Sequence, residues 1–162
     1  MKEGLMSRRL TKVGLAVVVV LIVVLAAAQL VRPERTNPKI DFARTLQAQP
    51  GASSGLVAVV DRSCGDCHSN GTVWARYTNV APLSWVITRG VTEGRKALNF
   101  SEWGAYPREK QQELLTASCR DATNGTMPMS VYLMLRPEAR LSAQDVETIC
   151  AASRTGVQSA AR

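Results

Sequence analysis

The chain has 162 residues, room for one domain of moderate size and one further element, with 46% hydrophobic residues, 5% aromatic residues and a formal net charge of +7. Without Lys2, Glu3, Arg8, Arg9 and Lys12, which precede an apolar run, the charge of the remainder falls to +4. No basic block is interleaved with aromatics, so no nucleic-acid partner is expected.

The apolar run is "VGLAVVVVLIVVLAAAQLV", Val13 to Val31, whose one polar member is Gln29. At 1.5 Å per residue it makes about 28 Å of helix, enough to cross a bilayer core. It reads as a single transmembrane anchor over 13–31 behind a cytoplasmic tail over 1–12, with the lipid bilayer as partner. The small residues Ala26 to Ala28 keep a cleaved signal peptide as the second reading. Lys2, Arg8, Arg9 and Lys12 before the span are matched by Arg32, Arg35, Lys39 and Arg44 after it, so flanking charge does not orient it. The short N-terminal tail and the cysteine chemistry below favour N-in.

Pro33, Pro38, Pro50 and the cluster Gly51 to Gly55 interrupt regular structure, and 32–55 reads as a tether. Leu56, Val59, Val60, Cys64 and Cys67 recur at helical steps, which predicts one short helix running into the cysteine motif. Pro82 suits the first turn of a helix from Leu83 to about Leu98, which Gly90 and Gly94 weaken. A further helix is expected from Pro107 to about Thr123, stopped by Asn124-Gly125, and a last one from Ser142, where Asp145 completes a capping pattern. No stretch alternates as a strand does. The expected fold is all-α, a cytochrome c-like helical domain over 56–154 with one haem, preceded by the N-terminal transmembrane helix and followed by a flexible tail over 155–162.

Cys64, Cys67 and the chain's one histidine, His68, lie within "CGDCH". Two thiols three apart and an imidazole four from the first project to one side of a helix, where they can bond two vinyl groups and reach the iron of a c-type haem. A dithiol redox centre would use the same Cys-x-x-Cys but expects strands around it. A zinc site could take Cys64, Cys67, Cys119 and Cys150, although the second pair lacks close spacing.

With no second histidine, the other iron ligand is a methionine or absent. "GTMPMSVYLML" offers Met127, Met129 and Met134. Pro128 pushes Met127 toward an extended conformation from which a thioether can reach a haem face, whereas Met134 reads as core. Met127 is the favoured ligand, Met129 the second. Methionine opposite histidine favours electron transfer over ligand binding.

Asn37-Pro38, "CGDCHSNGTVW" at Cys64 to Trp74, "APLSW" at Ala81 to Trp85, "EGR" at Glu93 to Arg95, "NFSEW" at Asn99 to Trp103, Met127-Pro128 and "PEARLSAQD" at Pro137 to Asp145 together resemble the haem-binding domain family, small bacterial monohaem c-type cytochromes that often carry an N-terminal anchor. The resemblance covers nearly everything after the anchor. It implies that Cys64, Cys67 and His68 bind haem and that Met127 is the distal ligand. Two departures stand out: Arg136 occupies a position where the family tends to have histidine, and small residues at Ala151 and Ala152 replace a tryptophan.

Trp74, Trp85 and Trp103 read as haem-pocket walls or as ordinary packing, and Arg95 as a propionate partner or a solvated surface residue. The carbonyl of Ala81 or Pro82 is the candidate acceptor for the second ring N–H of His68. Cys119 and Cys150 read as buried thiols or as a disulfide. The expectation is a membrane-anchored electron carrier, not an enzyme, with haem c held by Cys64 and Cys67. It would face the periplasm from the bacterial inner membrane and serve a respiratory or photosynthetic redox complex. The alternative is a haem sensor or peroxidase-like protein.

Overall fold

A computed structural model describes residues 2–157, and the side chains of 11–157. Among the described residues it contains no strand and seven α-helices: α1 (Lys2–Ala28), α2 (Ser54–Ser63), α3 (Gly65–His68), α4 (Leu83–Ala97), α5 (Arg108–Thr123), α6 (Ser130–Leu135) and α7 (Ala143–Thr155). Short 3-10 turns join them at Phe42–Arg44, Leu46–Ala48, Arg76–Asn79, Phe100–Ala105 and Pro137–Ala139. The fold is all-α, as the sequence predicts. Its chain forms two compact units, one of Met1–Arg35 with Trp74–Arg89, the other of Thr36–Val73 with Gly90–Arg162.

In the first unit, Thr11–Ala28 of α1 is long and apolar enough to cross a membrane, with mean hydropathy 2.6 and none of it buried against protein. Beyond its end the amide of Gln29 makes three hydrogen bonds. Its Nε2 donates to Leu25 O at 2.9 Å and Ala81 O at 3.2 Å, and its Oε1 accepts from Ala81 N–H at 3.0 Å. Trp85 Nε1 donates to Val31 O at 2.8 Å, and Arg35 Nη1 to the carbonyl and hydroxyl of Thr78.

The second unit holds the core. Leu56, Val59 and Val60 on α2, Leu114 and Leu115 on α5 and Ile149 on α7 pack with Leu98, Phe100 and the wholly buried Trp103. The tether expected over 32–55 is corrected in part: Leu46 is 1% exposed and Thr45 and Gln49 are buried beside it. Gln49 Nε2 bonds the carbonyls of Ala43 and Thr45, so the polar backbone of these turns is satisfied as Leu46 enters the core. The motif helix is also not continuous. Cys64 breaks it with φ −122° and ψ −31° while its carbonyl accepts from both Cys67 N–H and His68 N–H, so a new turn starts at the motif itself.

Helix ends follow local chemistry. Asn124-Gly125 stops α5 with Gly125 at φ +67°, and Ser142 and Asp145 cap α7 reciprocally. Helix α7 packs on α5 through small residues, Ala122 and Ala152 among them, and the two are joined by the Cys119–Cys150 disulfide, Cα to Cα 4.7 Å. Val157, in the tail expected over 155–162, is buried; residues 158–162 of that tail, like Met1, lie outside the described ones.

One close approach sets the packing of α4. A Cβ on Gly94 would lie 2.6 Å from the carbonyl oxygen of Cys67 and 3.3 Å from its Cβ. Gly94→Ala therefore should push α4 from the motif turn and lower stability by about 1 to 3 kcal/mol, read as a shift in thermal midpoint, whereas Gly90→Ala should shift it far less. Replacing Cys119 and Cys150 by serine removes a cross-link between residues 31 apart, with an expected loss of about 3 to 4 kcal/mol in denaturant titration under non-reducing conditions. Added reductant should bring the wild type close to the variant.

Candidate functional site

The second unit contains a cavity of about 380 Å³, within the range of small-molecule and cofactor sites. Its walls are mostly apolar, with Leu46, Leu56, Val60, Leu98, Leu114 and Leu115 among them. Cys64, Cys67 and His68 all open onto it, as do Met127, Met129 and Tyr132. Helix α2 delivers the motif to the cavity, and the turn α3 presents it.

His68 is fixed by its ring. Its Nδ1 lies 3.0 Å from the carbonyl oxygen of Leu98; a carbonyl only accepts, so Nδ1 carries the hydrogen and Nε2 keeps its lone pair free to bind a metal. The acceptor is Leu98, not the Ala81 or Pro82 suggested by sequence position. It lies one residue past α4, whose close packing on Cys67 carries this carbonyl to the imidazole. Burial holds the His68 imidazole below the ordinary histidine range, against the hydrogen bond to Leu98, and so favours the neutral ring a metal needs.

Buried polar groups behind the motif keep this geometry. Asn99 Nδ2 donates to Asn70 Oδ1 at 2.8 Å, Ser101 N–H to Asn99 Oδ1 at 3.0 Å, and Asn70 N–H to Ser101 Oγ at 3.0 Å. Arg95 neither waits for a propionate nor stands free in solvent. Its guanidinium donates to Ser69 O, Thr36 O, Asn37 Oδ1 and Thr72 Oγ1 at 2.7 to 3.0 Å, clasping residues 36–37 to the loop that follows the motif. Trp103 serves the core, stacked on Phe100, which in turn sets its edge against His68. Trp85 is engaged with Val31.

The surroundings of the thiols bear on the sequence readings. Burial, then the neighbouring Cys67, pushes the Cys64 thiol up to about 12; burial, then Asp66, pushes Cys67 up to about 11. A redox dithiol works through a thiol lowered below its ordinary value, so the environment opposes that chemistry. The zinc reading loses two of its four ligands to the Cys119–Cys150 disulfide, and among the described residues no cluster of three His, Cys, Asp or Glu could hold a metal ion.

Met127 and Met129 share the cavity and are 41% and 36% exposed. Met134, read from sequence as core, is 82% exposed on α6 and is corrected to a surface residue; the half-buried positions of the helix are Tyr132, Leu133 and Leu135. Asp66, Tyr132 and Arg136 are site neighbours that sequence reasoning missed. Tyr132 Oη donates to Asp66 Oδ2 at 2.8 Å, and Arg136 Nη1 is 3.3 Å from the same oxygen. Burial, then the bond to Asp66, pushes the Tyr132 phenol well above its usual range, so it remains a donor.

A donor set of one Nε2, two neutral thiols and two thioethers on an apolar cavity suits a haem: thiols for the vinyl groups, imidazole and thioether for the iron, aliphatic walls for the macrocycle. Ser63, buried beside Cys64 on the same wall, adds a hydroxyl without a protein partner. No curated protein and no solved structure matches the chain. A family model described as the haem-binding domain matches residues 23–154, most of the chain and all of the residues gathered at this cavity. The chain therefore belongs to the haem-binding domain family.

Proposed function

We propose that the protein is a membrane-anchored monohaem c-type cytochrome that passes single electrons to or from a membrane-bound redox complex. The observation that carries this reading is the meeting of Cys64, Cys67 and His68 at one apolar cavity, with His68 Nδ1 committed to Leu98 O. Cys64 and Cys67 would hold haem through their thiols as thioethers, and His68 Nε2 and the Met127 thioether would bind its iron. Haem, when bound, supplies the one-electron iron couple. The chain's own residues exclude water, hold the imidazole at a fixed orientation and, through the thioether of Met127, favour a high reduction potential.

A single covalent haem accords with one Cys-x-x-Cys-His in the chain. The disulfide and the attachment chemistry suit an oxidising compartment outside the cytoplasm, which supports a periplasmic face on the bacterial inner membrane with α1 as anchor. Respiratory or photosynthetic complexes are the partners in this reading, since an anchored carrier meets donors and acceptors in the same membrane. No acid–base pair with a second histidine is available for peroxidase chemistry.

The purified protein should keep haem through a denaturing gel, and the Cys64→Ala, Cys67→Ala double variant should lose it; loss of pigment from the wild type on that gel would sink the c-type assignment. Oxidised wild type should show the weak red band of methionine–iron ligation. Met127→Ala should abolish that band and lower the potential, and Met129→Ala should keep both; the reverse pattern reassigns the ligand. Rapid carbon monoxide binding by untreated ferrous protein would move the assignment to a sensor or enzyme.

A further inference from the structure

The methionines at the cavity sit on a segment that the hydrophobic core does not hold. Helix α6 has six residues and none is buried. So short a helix has little stability of its own, and with Tyr132, Leu133 and Leu135 only half-buried it gains less from packing than a core helix does. Polar contacts hold the segment at both ends. Upstream, the backbone N–H groups of Thr126 and Met127 donate to Asp121 O at 3.0 and 3.2 Å, and the Thr126 hydroxyl joins them at 3.0 Å. Downstream, Tyr132 and Arg136 converge on one oxygen of Asp66.

Asp66 is itself well fixed. Its other carboxylate oxygen accepts from Val73 N–H at 3.0 Å, and its carbonyl accepts from the Thr72 hydroxyl at 2.7 Å. It stands between the two cysteines, so its position is that of the motif turn. With the Asp66 side chain only 16% exposed, the bond from Tyr132 is charge-assisted and largely shielded from water, the setting in which such bonds are strong.

We infer that the Tyr132–Asp66 bond is a latch that places the methionine-bearing segment, 126–136, against the Cys64–His68 turn, so that Tyr132 and Asp66 are positioning residues for the distal side of the haem. This rests on the haem reading above. With the latch closed, the methionine thioether is held where it can bind iron. With it open, the segment keeps its Asp121 end and the weaker Arg136 pair with Asp66, and an external ligand can compete for the vacated position. Arg136 supports the closed state from the same side, since it pairs with Asp66 and with Glu138.

Tyr132→Phe tests the inference with the loss of one oxygen and no change in ring shape. Full-length haem-loaded protein in detergent would be compared with wild type by amide hydrogen exchange over 126–136, by the methionine–iron band, and by carbon monoxide association to the ferrous form. Covalent haem should be unchanged. Exchange across 126–136 and the carbon monoxide rate should each rise about tenfold or more, the equivalent of one charge-assisted bond, and the methionine band should fade at lower temperature. Asp66→Asn should act in the same direction, and the double variant should add little to either alone. Unchanged exchange and unchanged carbon monoxide rate in Tyr132→Phe overturn the latch. A lowered melting temperature with the band and the rate intact also overturns it, because that is a structural role only. Failure of the haem reading would appear separately, as wild type without covalent haem, and faster exchange in Tyr132→Phe would then still support a latch on this cavity.

Discussion

The hydrogen bond between His68 Nδ1 and the Leu98 carbonyl is the constraint around which the site is arranged. A metal-binding imidazole has to offer one nitrogen and lock the other, and locking it to a backbone carbonyl makes the ring as rigid as the chain behind that carbonyl. Leu98 follows directly on α4, and α4 comes close enough to the motif that only a glycine fits at position 94. The Leu98 carbonyl and the end of α4 that leads to it are therefore packed directly on the turn they serve. The buried Asn70, Asn99 and Ser101 network then secures the far side of the same turn.

The two sides of the cavity are held by different physics. Behind the histidine lie Phe100, Trp103 and the aliphatic core, where close packing resists displacement. The methionine side has no fully buried residue on α6 and leans on polar contacts as well, among them a carboxylate that belongs to the motif itself. One wall of the cavity is thus set in the core and the other is more open to solvent, a difference in local stability across a single site. Here both are referred to the same five-residue turn, so a disturbance of the turn reaches both.

Much of this was legible in the sequence because the signals were local. Pro107 and Asn124-Gly125 bracket α5, Ser142 with Asp145 starts α7, and the spacing of Cys64, Cys67 and His68 announces its own chemistry. What escaped was non-local or carried by the backbone. A carbonyl such as that of Leu98 has no side-chain signature, so the partner of His68 could be guessed only by position, and the guess fell on the wrong residues. Asp66 and Tyr132 are 66 residues apart, with nothing in either neighbourhood to pair them. Prolines and glycines over 32–55 suggested a free tether, yet Leu46 and Gln49 sit in short turns whose backbone is satisfied internally, which lets them pack. Met134 misled in the opposite direction: an apolar residue in an apolar string, it lies on a helix too short and too exposed to bury it.

Gln29, the polar interruption near the end of the apolar helix, bears on how motion passes along the chain. Its amide makes three hydrogen bonds within its own unit, two of them exchanged with Ala81 as in a pair of adjacent strands. Such a two-point clasp transmits torque, which a single flexible link does not. A rotation of α1 about its axis is therefore delivered to the Ala81-Pro82 corner, just ahead of the first turn of α4. Helix α1 acts on its unit as a shaft acts on a coupling, and its angle becomes part of that unit's structure.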